Sequence, residues 1–245
     1  MPFDRIENHK ENAIGSYLNA FMNLRLNTQV NISKNFRAET GIGIAHFSNG
    51  AFTIPNLGIN IATLNLGFAL RSSAKMPVQE IPKTLSGFDA CRHFVVYFTA
   101  GMKEISPPEG KKHPCFDLSF NWEKKFSTKG KYSFGLETNY NGGNYAEFKK
   151  DTISISAVQN IQTGIKAGYS ILAGRLIFPL ETGVYLYSFE KHNGPFFQRI
   201  GLRYQATENW TICYTLKTIW GKADFIEFGL GYSFSHKKSS GETKK

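Results

Sequence analysis

Leu18-Asn19-Ala20-Phe21-Met22-Asn23-Leu24-Arg25-Leu26-Asn27-Thr28-Gln29-Val30-Asn31-Ile32 decides the fold class. Leu18, Ala20, Met22, Leu24, Leu26, Val30 and Ile32 hold one parity. Asn19, Asn23, Arg25, Asn27, Gln29 and Asn31 hold the other, and only Phe21 breaks the pattern. A period of two sustained this long predicts a strand with one apolar and one polar face. The following chain repeats the pattern: strands are predicted at 36–49, 57–71, 93–104, 115–127, 131–140, 153–172, 175–189, 196–206, 210–219 and 224–234. A Pro-, Lys- and Ser-rich connection separates the first three strands from the rest (Ser72 to Ala90). Turn residues mark the other boundaries, among them Lys129-Gly130, Asn141-Gly142-Gly143-Asn144, Ala173-Gly174, Asn193-Gly194-Pro195 and Gly221-Lys222. No helix of useful length is legible.

Two architectures accommodate such strands. A soluble barrel or sandwich buries the apolar face, whereas a membrane barrel turns it to lipid and lines its interior with Asn, Arg, Glu and Thr. Soluble strands commonly run to five or six residues. These reach ten or more, the length that crosses a bilayer at a tilt, so the expected fold is all-β, an antiparallel transmembrane β-barrel. Residues 1–235 are read as one barrel domain and 236–245 as a polar basic tail. The last strand, Glu227-Phe228-Gly229-Leu230-Gly231-Tyr232-Ser233-Phe234, resembles the terminal signal of outer-membrane barrels, and residues 227–234 are expected to engage the barrel-assembly machinery. About eleven strands are readable, and bacterial single-chain barrels normally have an even number. With no signal peptide in Met1-Pro2-Phe3-Asp4-Arg5 and the charged run after it, the expectation is a barrel incomplete at its N-terminus.

Composition narrows the partners. Aromatic residues make up 14% of the 245 residues and no stretch approaches 18 consecutive apolar residues, so a membrane-spanning helix is not expected. The formal charge of +10 points to an anionic partner. No basic cluster alternates with stacking aromatics along a groove-like run, so nucleic acid is not expected, and outer-membrane lipids are. Cys91, Cys115 and Cys213 are an odd set; Cys91 and Cys115 should begin opposite ends of a hairpin, more than about 20 Å apart and too far for a disulfide. Free thiols are expected, with no metal site and no cofactor.

Chemistry concentrates in Ile44-Ala45-His46-Phe47-Ser48-Asn49, which runs through a turn near Pro55-Asn56 to Asn60. On an extended chain, residues two apart share a face, with about 6.6–6.8 Å of rise between them. His46 and Ser48 are therefore neighbours in the pairing that a serine nucleophile needs, since a base must take its proton. His46 and Ser48 continue the apolar parity of Ile44 and Ile42, and Asn60 that of Ala62, Leu64 and Leu66. The plain alternative is a set of polar rim residues meeting water.

His46-Phe47-Ser48-Asn49 followed by Asn56-Leu57-Gly58-Ile59-Asn60 resembles the PagL-type lipid A 3-O-deacylases and the related outer-membrane acyloxyacyl hydrolase-like proteins. The specific part of the resemblance covers about residues 36–70. It implies Ser48 as nucleophile, His46 as general base, Asn49 as an oxyanion contributor, and a site outside the barrel at the membrane rim, with lipid A or a similar acylated glycolipid as partner. The family's acid falls at Asn60, which can orient an imidazole but carries no charge. Replacing the acid by Asn in a serine protease costs about 10⁴ in rate. Glu39, the nearest preceding acid, has the parity of the interior. The resemblance implies an ester hydrolase in the outer membrane of a Gram-negative bacterium. A non-catalytic outer-membrane barrel, pore or structural, remains the alternative, and a soluble basic barrel binding an anionic ligand is a third reading.

Overall fold

The computed structural model describes residues 2–4, 6–70, 92–106, 108, 110–151, 156 and 158–235. Among the described residues there are eleven strands, as the alternation predicts, and the chain divides into two compact units, Met1–Gly87 and Phe88–Lys245. The first holds β1 (Ala20–Asn31), β2 (Phe36–Ser48) and β3 (Ile59–Leu70) in one antiparallel sheet of that order. The second holds β4 (Arg92–Glu104), β5 (Lys112–Ser127), β6 (Gly130–Asn141), β7 (Ile161–Ala173), β8 (Leu176–Tyr187), β9 (Phe196–Gln205), β10 (Trp210–Ile219) and β11 (Lys222–Ser235). These eight close on themselves, β11 pairing both β10 and β4. The described residues thus hold a closed eight-stranded barrel and a three-stranded sheet. The expected connection over 72–90, Cys91 and the tail 236–245 lie outside the described residues.

In the first unit the apolar parity of β1–β3 is open: Leu24 is 70% exposed and Leu64 73%. Its opposite face is polar, with Arg37 donating to Gln29 and Asn31, and Gln29 to Glu39.

The barrel has the inside-out pattern of a transmembrane protein. Along β5, Phe116, Leu118 and Phe120 face outward while Asp117, Ser119, Asn121 and Glu123 are buried inside. An eight-stranded barrel leaves an interior that side chains can fill, and here they do. The interior is an ion-pair core. Arg199 meets Glu227 through two bonds of 2.7 and 2.9 Å, Glu137 at 2.6 Å and Asp117 at 3.1 Å. Lys217 reaches Glu137 at 2.5 Å and Asp117 at 3.2 Å; Lys166 and Arg203 both reach Glu181, at 3.1 and 2.8 Å. Four cations (Lys166, Arg199, Arg203, Lys217) thus meet four carboxylates (Asp117, Glu137, Glu181, Glu227). Aromatic faces complete the packing: the Arg203 guanidinium lies 4.2 Å from the Tyr97 ring centre, and the Lys217 ammonium 4.9 Å from that of Phe197.

Two sequence expectations fail at one place. The sequence predicts a turn at Asn141-Gly142-Gly143-Asn144 and a strand over 153–172, but residues Gly142–Lys150 form a helix, α1, and β7 spans Ile161–Ala173, positions 153–155 and 157 lying outside the described residues. The Asn141 side chain caps the helix by accepting from the N–H groups of Gly143 and Asn144. Gly142 is required by close approach, since a Cβ there would lie 2.4 Å from the Pro114 carbonyl oxygen. The glycines that read as a turn are a helix start pressed against β5. Cys115 and Cys213 are free and buried.

Lys217 is 0% exposed, so removing its charge strands part of the carboxylate set. Lys217→Met is expected to destabilise the barrel by about 3–5 kcal/mol, measured by urea unfolding in phosphatidylcholine vesicles; a change below ~1 kcal/mol would show the network to be dispensable.

Candidate active site

The site lies at the end of the β2–β3 hairpin. Register sets Met22, His46 and Asn60 directly across three strands, with Ala20 opposite Ser48. Directly opposed strand residues have Cβ atoms about 4.5–5.5 Å apart, so a pairing of residues 46 and 60 needs no special loop, only the correct register. The structure brings three of the four expected residues into one chain of hydrogen bonds. His46 Nδ1 is 2.7 Å from Asn60 Oδ1, and His46 Nε2 is 2.9 Å from Ser48 Oγ. The direction of both bonds follows from chemistry. An amide oxygen only accepts, so Nδ1 carries the proton; in a neutral ring Nε2 then accepts from the Ser48 hydroxyl.

Ser48 is 5% exposed, while Asn60 is open on the apolar face of the sheet. Glu39 bonds Gln29 on the opposite, polar face and takes no part.

The connection from Asn49 to Gly58 is built to hold this trio. Gly50 and Ala51 are both left-handed, at φ 62° and 63°, turning the chain sharply after Ser48. For Ala51 that conformation costs on the order of 1–2 kcal/mol, and the Phe52 N–H closes the turn onto the Asn49 carbonyl at 3.2 Å. Gly58 has φ 73°, and a Cβ there would lie 2.9 Å from His46 Cε1 and 3.0 Å from the Phe47 carbonyl oxygen. A side chain at 58 would displace the imidazole.

Asn49 is held within its own loop. Its backbone N–H donates to Asn56 Oδ1 at 3.0 Å, and its side-chain amide donates to Ser16 Oγ at 3.1 Å and to the Thr53 carbonyl at 2.8 Å. All of its donor directions are therefore engaged within the loop. Asn49 anchors the turn behind the nucleophile.

Sequence reasoning missed two contributors. Asn56 has its amide oxygen fixed by Asn49, while its NH₂ group has no hydrogen-bond partner among the described residues. Residues 12–16 brace the loop: the Leu57 and Gly58 N–H groups donate to the Asn12 and Ala13 carbonyls at 3.1 and 3.0 Å, and Ser16 receives Asn49. Asn56 was visible as a family motif position but carried no assigned role. Residues 12–16 have no periodicity to reveal them.

Two family models match, one within each unit. Residues 2–69 match lipid A 3-O-deacylase (PagL), and residues 92–237 match the acyloxyacyl hydrolase C-terminal domain. No curated protein matches. Among solved structures, the chain is similar to a protein titled "De novo design of transmembrane beta-barrels". That likeness has 10% identity and a TM-score of 0.36, covering 60% of this chain and 98% of the other. A Rhodopseudomonas blastica porin triple mutant is similar at 11% identity and a TM-score of 0.23, covering 88% and 91%. With both units matched in turn, the chain belongs to the PagL lipid A 3-O-deacylase and acyloxyacyl hydrolase family.

Proposed function

We propose that the protein is an outer-membrane ester hydrolase that removes an acyl chain from lipid A or a closely similar acylated glycolipid. The observation that carries this reading is the Ser48–His46–Asn60 hydrogen-bond chain at the edge of an apolar sheet face. His46 Nε2 takes the Ser48 proton as Oγ attacks the ester carbonyl. The tetrahedral adduct collapses when His46 returns that proton to the leaving sugar oxygen, and the acyl group stays on Ser48. Water then repeats the sequence and frees the fatty acid. Asn60 Oδ1 fixes the Nδ1–H tautomer throughout, which keeps Nε2 aimed at Ser48.

For the oxyanion we assign Asn56 in place of the expected Asn49, because Asn56 alone of the two keeps free donors. Membrane placement supports the substrate. In bacterial barrels the longer connections are extracellular and the short ones periplasmic. Within the first unit the site is carried by the longer connection, 49–58, rather than by the turn at 32–35. An outer-leaflet glycolipid meets such a site. The filled interior of the eight-stranded barrel disfavours the pore alternative. β11, the closing strand that contains 227–234, is the segment we assign to recognition by the barrel-assembly machinery. One observation favours a non-catalytic barrel, the neutral residue at position 60.

Mass spectrometry of lipid A from Gram-negative cells expressing the full protein distinguishes the readings. Loss of one acyl chain is expected with the parent and none with Ser48→Ala; identical spectra from protein confirmed in the outer membrane would leave the non-catalytic barrel. Asn60→Asp puts a carboxylate in the same position and should raise the deacylation rate at least tenfold, within the ~10⁴ that an acid supplies elsewhere; an unchanged rate would mean Asn60 does not act through His46. Asn56→Asp keeps the acceptor for the Asn49 N–H but removes the donors. It should lower the rate by roughly 10²–10³, and full activity in that variant would return the oxyanion role to another group.

A further inference from the structure

The outer wall of the barrel carries a feature that ester hydrolysis does not use. Successive register pairs run one row of outward side chains across five strands: Phe94, Trp122, Phe134, Ala167 and Thr182. The next outward row starts at Phe120 and ends at Phe196 on β9. Along these two rows lies an apolar groove of about 670 Å³, with small side chains at Ala167 and Thr182 where the neighbouring positions are large. It spans from β4 to β9, roughly 24 Å around the wall at ordinary strand spacing. Because Phe94 is near the start of β4 and Phe196 is the first residue of β9, and these strands start at opposite ends of the barrel, the groove climbs from one end toward the other.

At its lower corner stands the β5–β6 hairpin tip, Lys124-Lys125-Phe126-Ser127-Thr128-Lys129-Gly130-Lys131. Lys131 pairs with the buried Glu123, whereas Lys124, Lys125 and Lys129 have no carboxylate partner among the described residues. Lys124 is the outward position next beyond Trp122. It faces Tyr132 across the strands, its ammonium 5.9 Å from that ring. Trp122, Phe126 and Tyr132 form a contiguous aromatic group there, with centroid separations of 5.8 Å. Aromatic girdles of this kind mark the membrane interface, so these ammonium groups stand at headgroup level while the groove beyond them faces hydrocarbon.

We propose that groove and hairpin form one site for an anionic glycerophospholipid, its acyl chain lying in the groove and its phosphate held by Lys124 and the tip lysines. Charge decides the headgroup: three unpaired ammoniums attract a net anion and gain little from a zwitterion, whose own ammonium they repel. Position decides the lipid class. The tip is a short turn, as is Gly174-Arg175 at the same end, and short turns face the periplasm in such barrels, the leaflet away from lipid A.

Trp122 reports on the site, since the chain has three tryptophans and the other two are Trp210 and Trp220. The full protein carrying Trp210→Phe and Trp220→Phe is placed in phosphatidylcholine vesicles containing either brominated phosphatidylglycerol or brominated phosphatidylcholine. Brominated phosphatidylglycerol should quench at a lower mole fraction. That preference should fall roughly fivefold with Lys124→Gln, disappear with Lys124, Lys125 and Lys129 all changed to Gln, and shrink in 0.5 M KCl without any substitution. Ala167→Phe should fill the groove and reduce quenching by the anionic lipid, while Ser48→Ala should leave it unchanged. Equal quenching by the two lipids, a preference indifferent to both salt and lysine removal, or displacement by unlabelled lipid A in preference to phosphatidylglycerol would each overturn the assignment.

Discussion

Arg199 is the hub on which the barrel depends. Its guanidinium lies within ion-pair distance of Asp117, Glu137, Glu181 and Glu227, carried on four different strands. A fork of five donors suits that task, and a lysine at the same place could not bond two oxygens of Glu227 in parallel. The constraint behind this arrangement is the solvent outside. Hydrocarbon attracts the apolar side of every strand without holding the strands together, so cohesion must come from the backbone ladder and from the interior. The alternation of β5 and the ion pairs across the lumen are two expressions of one boundary condition.

The first unit applies the same rule to chemistry. Its apolar parity is broken at one end of β2 and β3 by His46, Ser48 and Asn60, a polar group set among exposed apolar side chains. A serine nucleophile needs a base fixed in tautomer and direction. Cross-strand register supplies that by placing residue 60 opposite residue 46, and the turn at Gly50 and Ala51 closes behind Ser48. The braced loop explains how a small constellation at a sheet end stays ordered without a surrounding core.

Much of this was legible in the chain. Strand number, strand identity and the inverted faces follow from a period of two, because each position's environment is set by its parity alone. The meeting of His46, Ser48 and Asn60 in space was legible for the same reason. What could not be read depends on distance across the fold. Barrel closure at eight strands is decided by β11 meeting β4, which no local pattern announces. The helix after Asn141 was hidden because Gly142 and Gly143 have the composition of a turn, and only the approach of Pro114 makes glycine necessary there. The bonds that Asn49 makes within its loop could not be read either, because sequence gives its donors but not what they already bond.

The neutral Asn60 has a consequence for where such a site can reside. A carboxylate on an open, lipid-facing strand position would have to be dehydrated or drawn toward the interface whenever the bilayer closed over it, and buried charges of that kind are expensive. An amide asks less. Neither Ser48 nor Asn60 carries a formal charge, so the proposed constellation can sit deeper against hydrocarbon than an acid-bearing one, with charge separating when His46 takes the serine proton. Under the proposed function, the depth at which an ester is cut is then set by the membrane tolerance of one transient imidazolium, not by a permanent anion.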